Sequence, residues 1–230
     1  DSTPGADGEV LSAFIFSGTK NIPLSLVRDR VNQLTSEERT EMLGRILVER
    51  AMNDPNKERA GVRFRKVPRA WENAHYLFEL WGRGGDFRDL HRHRQDTEER
   101  QLFTVETGFD LEKEVLSSPF TEKIMFALDG AAEVFRKLSR VSPDVAQYAV
   151  PYGAIQHWYK RMSARQVYWV VELRTGPQGR PHYRDICQQI AKAVTERDPG
   201  VFQGMLTDYN DYSLSRRESE ISIEKKKEKL

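Results

Sequence analysis

The run Arg88-Asp89-Leu90-His91-Arg92-His93-Arg94 gathers three arginines and two histidines in seven positions. A guanidinium is a planar fork of donors that fits phosphate oxygens, and an imidazole N–H donates to the same oxygens. Such a run could hold a nucleotide or the pyrophosphate of a dinucleotide. A second reading stands beside it. Between residues 83 and 100, five arginines face the five acids Asp86, Asp89, Asp96, Glu98 and Glu99, the pattern of an exposed helix laced with ion pairs. That balance argues against a nucleic-acid stripe, because sequence-independent phosphate binding needs a net basic surface. It offers little to a metal either: on a helix His91 and His93 point about 200° apart, and no cysteine lies nearby to complete a site.

The elements that would position this run follow from the spacing of apolar and punctuating residues. EVLSAFIF (9–16) has the β-branched and aromatic character of a strand, broken by Gly18. Pro23 opens a helix, and Thr35 with Glu38 forms a capping box for the next, with Met42, Leu43, Ile46 and Leu47 on one face. Asn53-Asp54-Pro55-Asn56 signals a turn, and Val62 and Phe64 alternate with arginines as a strand or an extended loop. AHYLFELW (74–81) is a strand closed by Gly82, Gly84 and Gly85. The stretch from Asp86 to about Gln101 reads as an exposed helix. The strongest helix starts near Pro119, its apolar positions Ile124, Ala127, Leu128, Ala131, Val134, Phe135 and Leu138 keeping a three-four rhythm. Ser142-Pro143-Asp144 begins a short helix that Pro151 stops, and 163–174 and 182–196 form two more, joined through Gly176-Pro177-Gln178-Gly179. Cys187 reads as a small core residue, and His157, among Trp158 and Tyr159, as structural.

Composition sets the outer limits. Of 230 residues, 38% are apolar and 31% charged, with 36 basic against 35 acidic side chains and a formal charge of +1, so wholesale disorder is excluded and no global charge draws the chain to nucleic acid or a membrane. One cysteine makes no internal disulfide, and no stretch approaches the roughly 20 apolar residues of a membrane span. The expectation is a cytoplasmic protein with no membrane and no nucleic-acid partner. Residues 1–8 read as a flexible lead-in, 9–213 as one domain, and 214–230, with six basic and four acidic side chains, as a solvated helix or disordered tail. The start at Asp1, without Met or signal peptide, suggests a processed product or a piece of a longer polypeptide.

The ordered set of motifs resembles a known family. RDLHRHR (88–94) after WENAHYLFEL resembles the segment of flavin-dependent thymidylate synthases in which a strand leads into a helix bearing an Arg-His-Arg triplet. VSPDVAQYAVPYGAIQHWYKRMSARQVYWVVELRTGPQGRPHYRDI (141–186) is similar to that family's later run: a short helix, a Leu-Pro-like stop, an aromatic strand, an Asn-Ala-Arg helix start, a Leu-Arg helix end and a last long helix. The likeness spans about residues 9–206. It implies an α+β fold, a mixed sheet flanked by helices, and a homotetramer that uses FAD, methylenetetrahydrofolate and NADPH to turn dUMP into dTMP. Carried over by position, Arg92, His93 and Arg94 fall on the triplet that contacts FAD. Ser163 falls beside the flavin, and Arg174 on the arginine that contacts and activates the uracil ring.

Departures accompany the likeness. Asp89, Arg100 and Gln147 occupy nucleotide-site positions where the family has a glutamine, a glutamate and a nucleotide-binding arginine. Thr97 can replace the first of two serines after the triplet. Leu102 stands for the second, substrate-facing serine, and Thr104 for an arginine that contacts the nucleotide. Ser163 and Trp169 replace two asparagines. Three readings follow: an active flavoenzyme on dUMP or a related nucleotide, a non-catalytic family domain serving assembly or a second related domain, and a charged interaction protein with no ligand.

Overall fold

A computed structural model describes residues 5–48 and 66–212, with residues 221, 224 and 225. The turn at 53–56, the alternation at 62–65 and most of the 214–230 tail lie outside the described residues. In chain order the elements are α1 (Ala6–Ser17), α2 (Leu24–Asn32), α3 (Ser36–Ile46), β1 (His75–Arg83), α4 (Gly84–Leu90), β2 (Thr97–Arg100), α5 (Lys113–Leu116), α6 (Thr121–Ser139), α7 (Pro143–Ala146), β3 (Ile155–Ser163), α8 (Ala164–Arg174), α9 (Pro181–Arg197) and α10 (Pro199–Phe202). The fold is α+β. Where a mixed sheet is expected, the three strands, in the order β1-β3-β2, run antiparallel: Ala164 N donates to Ala74 O and Gly84 N to Ala154 O, so one strand's numbers fall as its neighbour's rise. Two compact units divide the chain, Phe78–Lys160 forming one and the segments before and after it the other.

In the unit built from both ends of the chain, residues 9–16 belong to helix α1, not to the expected strand, and residues 6–8 are its first turn, not a lead-in. β-Propensity is overridden here by packing and by charge. Val10 and Leu11 are buried, while Asp7 and Glu9, in the first turn where the helix dipole favours anions, pair with Arg39 and Arg28 at 2.7 Å each. Pro23 caps α2. The Thr35 box forms as expected, Thr35 Oγ1 accepting from Glu38 N at 3.2 Å while Glu38 Oε2 accepts from Thr35 N at 2.8 Å. Leu43 on α3 and Leu47 at its C-cap are buried. Below them the Val201 carbonyl accepts from both Trp71 Nε1 and Tyr168 Oη at 2.9 Å, and Phe202 lies against the rings of Tyr76 and Tyr168.

The unit formed by Phe78–Lys160 corrects the reading of 86–101. The helix there ends at Leu90, a turn follows, and Thr97–Arg100 is strand β2. The acids are not all partners of helical arginines: Glu98 turns inward while Thr97 and Glu99 face out, because a lysine lies buried on the neighbouring strand. Helix α6 begins two residues after Pro119 and buries Leu128, Ala132 and Phe135. Of its expected core positions Ile124, Ala131 and Leu138 are half-buried, whereas Ala127 and Val134 face outward. Ala132 and Phe135 pack with Val105 and Ala146 into a small core. Ser142 caps α7 through Val145 N at 3.3 Å, and no described helix is long and apolar enough to cross a membrane.

Candidate functional site

The Arg-His-Arg triplet lies at the exit of α4, and the sheet fixes where that helix starts. Gly84 N donates to Ala154 O at 3.1 Å, and Asp86 Oδ2 accepts from Arg83 N at 3.2 Å. Arg83 is itself held by Asp110 at 3.0 Å and Glu112 at 3.2 Å. Phe87 is buried edge-on to Trp158 and Phe103, and Leu90 is buried behind it. The chain then tightens, His93 N donating to Leu90 O at 3.1 Å. His93 is buried, with Arg92 and Arg94 exposed on either side. The Arg92 side chain is 67% exposed and reaches Asp89 only at 3.9 Å. Arg94 has no hydrogen-bond or ion-pair partner among the described residues. Two guanidiniums with open donors, a buried histidine between them, form a donor set that fits phosphate oxygens, so the residues present fit the phosphate portion of a flavin dinucleotide.

Beside the triplet lies a charge cluster that sequence reasoning missed. Lys160 on β3 is buried, its Nζ 3.0 Å from Asp96 Oδ2 and bonded to Glu98 Oε2. The other Glu98 oxygen meets His91 Nδ1 at 2.5 Å. Burial raises the Asp96 carboxyl above the usual carboxylate range, against the opposing pull of Lys160. Its signal was present in the alternation of β3, where Gln156, Trp158 and Lys160 form the inward set: a lysine at a core position of a strand demands buried carboxylates. Gln156 was missed for the same reason. Its side-chain amide pairs with the backbone of Thr104, accepting from N and donating to O at 3.2 Å each.

Of the carried-over nucleotide positions, the structure brings Arg100 and Gln147 together. Gln147 Oε1 accepts from Arg100 Nη1 and from Phe103 N, both at 3.0 Å, and the Arg100 guanidinium lies 4.2 Å from the centre of the Phe103 ring. Leu102 is half exposed, and Thr104 Oγ1 accepts from Glu106 N at 3.0 Å. Asp89 lies on α4, where Arg92 approaches it. His157, expected to be structural, stacks on Trp81 and meets Glu79 at 2.7 Å.

Ser163 and Arg174 belong to the other unit, at opposite ends of α8, about 16 Å apart at 1.5 Å per residue. The Ser163 hydroxyl caps the helix, accepting from Gln166 N at 3.2 Å. Half-buried Arg174 ends the helix over the Tyr183 ring. Its neighbours in the chain are tied down: Glu172 accepts from Leu206 N at 3.2 Å, Thr175 Oγ1 from Asp208 N at 3.1 Å, and the Thr175 carbonyl from Arg184 Nε at 3.1 Å. Arg184 is buried in this arrangement, a positioning residue for the helix end that the sequence pattern did not single out.

An α+β chain with a small antiparallel sheet and an arginine turn at the end of its first strand-helix unit defines the class. The model of the family described as thymidylate synthase complementing protein matches residues 32–200; the chain belongs to that family. Among curated relatives, a UPF0159 protein of Chlamydia muridarum is 34% identical over 157 residues, 67% of this chain and 30% of that protein. A UPF0159 protein of Thermoplasma acidophilum is 31% identical over 160 residues, 68% of this chain and 32% of that protein. The matched stretch is thus about a third of these relatives' length. Among solved structures, a UMP/dUMP methylase PolB from Streptomyces cacaoi, bound with 5-Br dUMP, superposes with a TM-score of 0.64 at 14% identity, covering 89% of this chain and 93% of that one. That likeness establishes the shared fold.

Proposed function

We propose that this chain is a flavin-dependent methylating domain acting at the uracil ring of dUMP or a related nucleotide. The observation that carries the reading is the pair of exposed guanidiniums, Arg92 and Arg94, set on either side of buried His93, in a chain of the thymidylate synthase complementing family. When bound, FAD would supply the hydride chemistry, with methylenetetrahydrofolate as carbon source and NADPH as reductant. The chain's own part is binding and polarisation. Arg92 and Arg94 would hold phosphate oxygens of the cofactor, and the roles assigned by position are a flavin contact for Ser163 and nucleotide contacts for Asp89, Arg100 and Gln147. Arg174, a fixed cation on an anchored helix end, faces the charge that develops on the ring. The assembly proposed is a homotetramer, and the location cytoplasmic.

The test is to incubate the purified protein with FAD, desalt it and record the visible spectrum. Retained flavin that is lost in Arg92→Ala/Arg94→Ala supports the assignment; equal retention in both proteins refutes it.

A second reading has an observation of its own. Leu102 and Thr104 stand where the family has a serine and an arginine, and the Arg100 side chain is engaged with Gln147. These favour a non-catalytic domain that keeps the fold and serves a second related domain, in keeping with the greater length of the relatives. A natural polypeptide with a second family domain carrying the missing serine would support it, and one without such a domain would count against it.

A further inference from the structure

The side chain of Lys160 is 1% exposed, a setting in which an ammonium stays charged only when carboxylates and hydrogen bonds surround it. Glu98 supplies a carboxylate and a hydrogen bond and Asp96 a second carboxylate oxygen 3.0 Å away, their side chains 8% and 2% exposed. Glu98 then reaches back to His91. The contacts therefore run from a buried ammonium on β3 to Asp96 at the end of the turn and Glu98 on β2, and through Glu98 to His91 at the start of the turn. These points bracket Arg92-His93-Arg94, and buried His93 anchors the middle. Replacing a buried ion cluster by apolar side chains is often neutral or stabilising, so such a cluster is weak evidence for stability and better evidence for fixed placement. Arginine carries large rotamer entropy, and ordering a loose turn at the moment of binding weakens affinity.

We propose that Lys160, acting through Asp96 and Glu98, is the positioning residue for Arg92 and Arg94. It fixes the 91–96 turn between α4 and β2 so that both guanidiniums are preorganised for the phosphate groups of a dinucleotide. The ligand in this proposal rests on the phosphate-binding reading of the triplet, whereas the fixing of the turn rests on the contacts of Lys160.

Lys160→Met alone leaves two buried carboxylates unpaired and is expected to disturb folding. The test therefore uses the charge-free variant Lys160→Met/Asp96→Asn/Glu98→Gln and, at the exposed end of the cluster, His91→Gln. Two quantities are read: amide hydrogen exchange of residues 91–96 in the free protein, and the Kd for FAD from quenching of flavin fluorescence. The charge-free variant is expected to exchange about tenfold faster in this turn and to bind FAD about tenfold more weakly with Arg92 and Arg94 intact, since preorganisation is lost and the contacts are not. His91→Gln should move both readouts in the same direction by a smaller factor. Unchanged exchange in the turn overturns the proposal, as does faster exchange with unchanged FAD affinity. Should the charge-free variant fail to fold, an unmoved His91→Gln overturns it equally. If the wild-type protein takes up no FAD, the phosphate reading fails, and the exchange comparison alone decides whether Lys160 fixes the turn.

Discussion

Arg100 and Gln147, 47 positions apart in the chain, are joined by a 3.0 Å hydrogen bond from Nη1 to Oε1. Because the same oxygen accepts from the Phe103 amide, one glutamine side chain ties β2 and the segment after it to the turn that follows α7. Gln147→Ala should cost about 1 kcal/mol, the usual net worth of such bonds. Arg100→Ala should cost a similar amount, and the double variant less than the two together, because the residues share one bond. Urea unfolding of the three variants checks this; strict additivity would show that the bond contributes nothing.

Asp96 makes stability depend on pH in a defined sense. Burial raises its folded-state pKa above the unfolded value of about 3.9, so the folded chain binds this proton more tightly than the unfolded one. The stabilisation from that proton is complete below the unfolded pKa and is lost as pH rises through the folded one. Asp96→Asn removes the titration. Its melting temperature relative to wild type should therefore climb with pH from about 4 upward. A difference that falls with pH would contradict the assignment.

The capping box at Thr35 offers a test of the fold that involves none of the candidate site residues. Thr35→Ala removes the acceptor for Glu38 N and should lower stability by about 1 kcal/mol, read as a drop in the denaturant midpoint with unchanged slope.

Much of this architecture is legible in the sequence where local chemistry and tertiary packing agree. Thr35 and Glu38, Pro23, Ser142-Pro143 and the rhythm of Leu128 and Phe135 announce their helices, and each helix forms. Residues 9–16 fail because their apolar run has no clear period; burial of Val10 and Leu11 and the pairing of Asp7 with Arg39 and of Glu9 with Arg28 favour the helix, and no local pattern reveals them. The 86–101 region fails for a related reason. Its equal count of arginines and acids reads as helical ion pairs, yet Asp96 and Glu98 answer Lys160, more than 60 residues away in the chain. The triplet stands out by residue type alone, and family membership bears out the resemblance built around it. The buried supports, Lys160, Gln156 and Arg184, were not found, because a polar residue at a core position declares its partner only in three dimensions.

The most direct measurement of the central claim is release of tritium from C5 of labelled dUMP, with FAD, methylenetetrahydrofolate and NADPH supplied. The account predicts release by the wild-type protein and a loss of about a hundredfold or more in Arg174→Ala, the scale for removing one stabiliser of developing charge, with bound flavin retained. A wild-type protein that holds FAD yet releases no tritium from dUMP or a related uridine nucleotide would contradict it, as would an Arg174→Ala variant of undiminished rate.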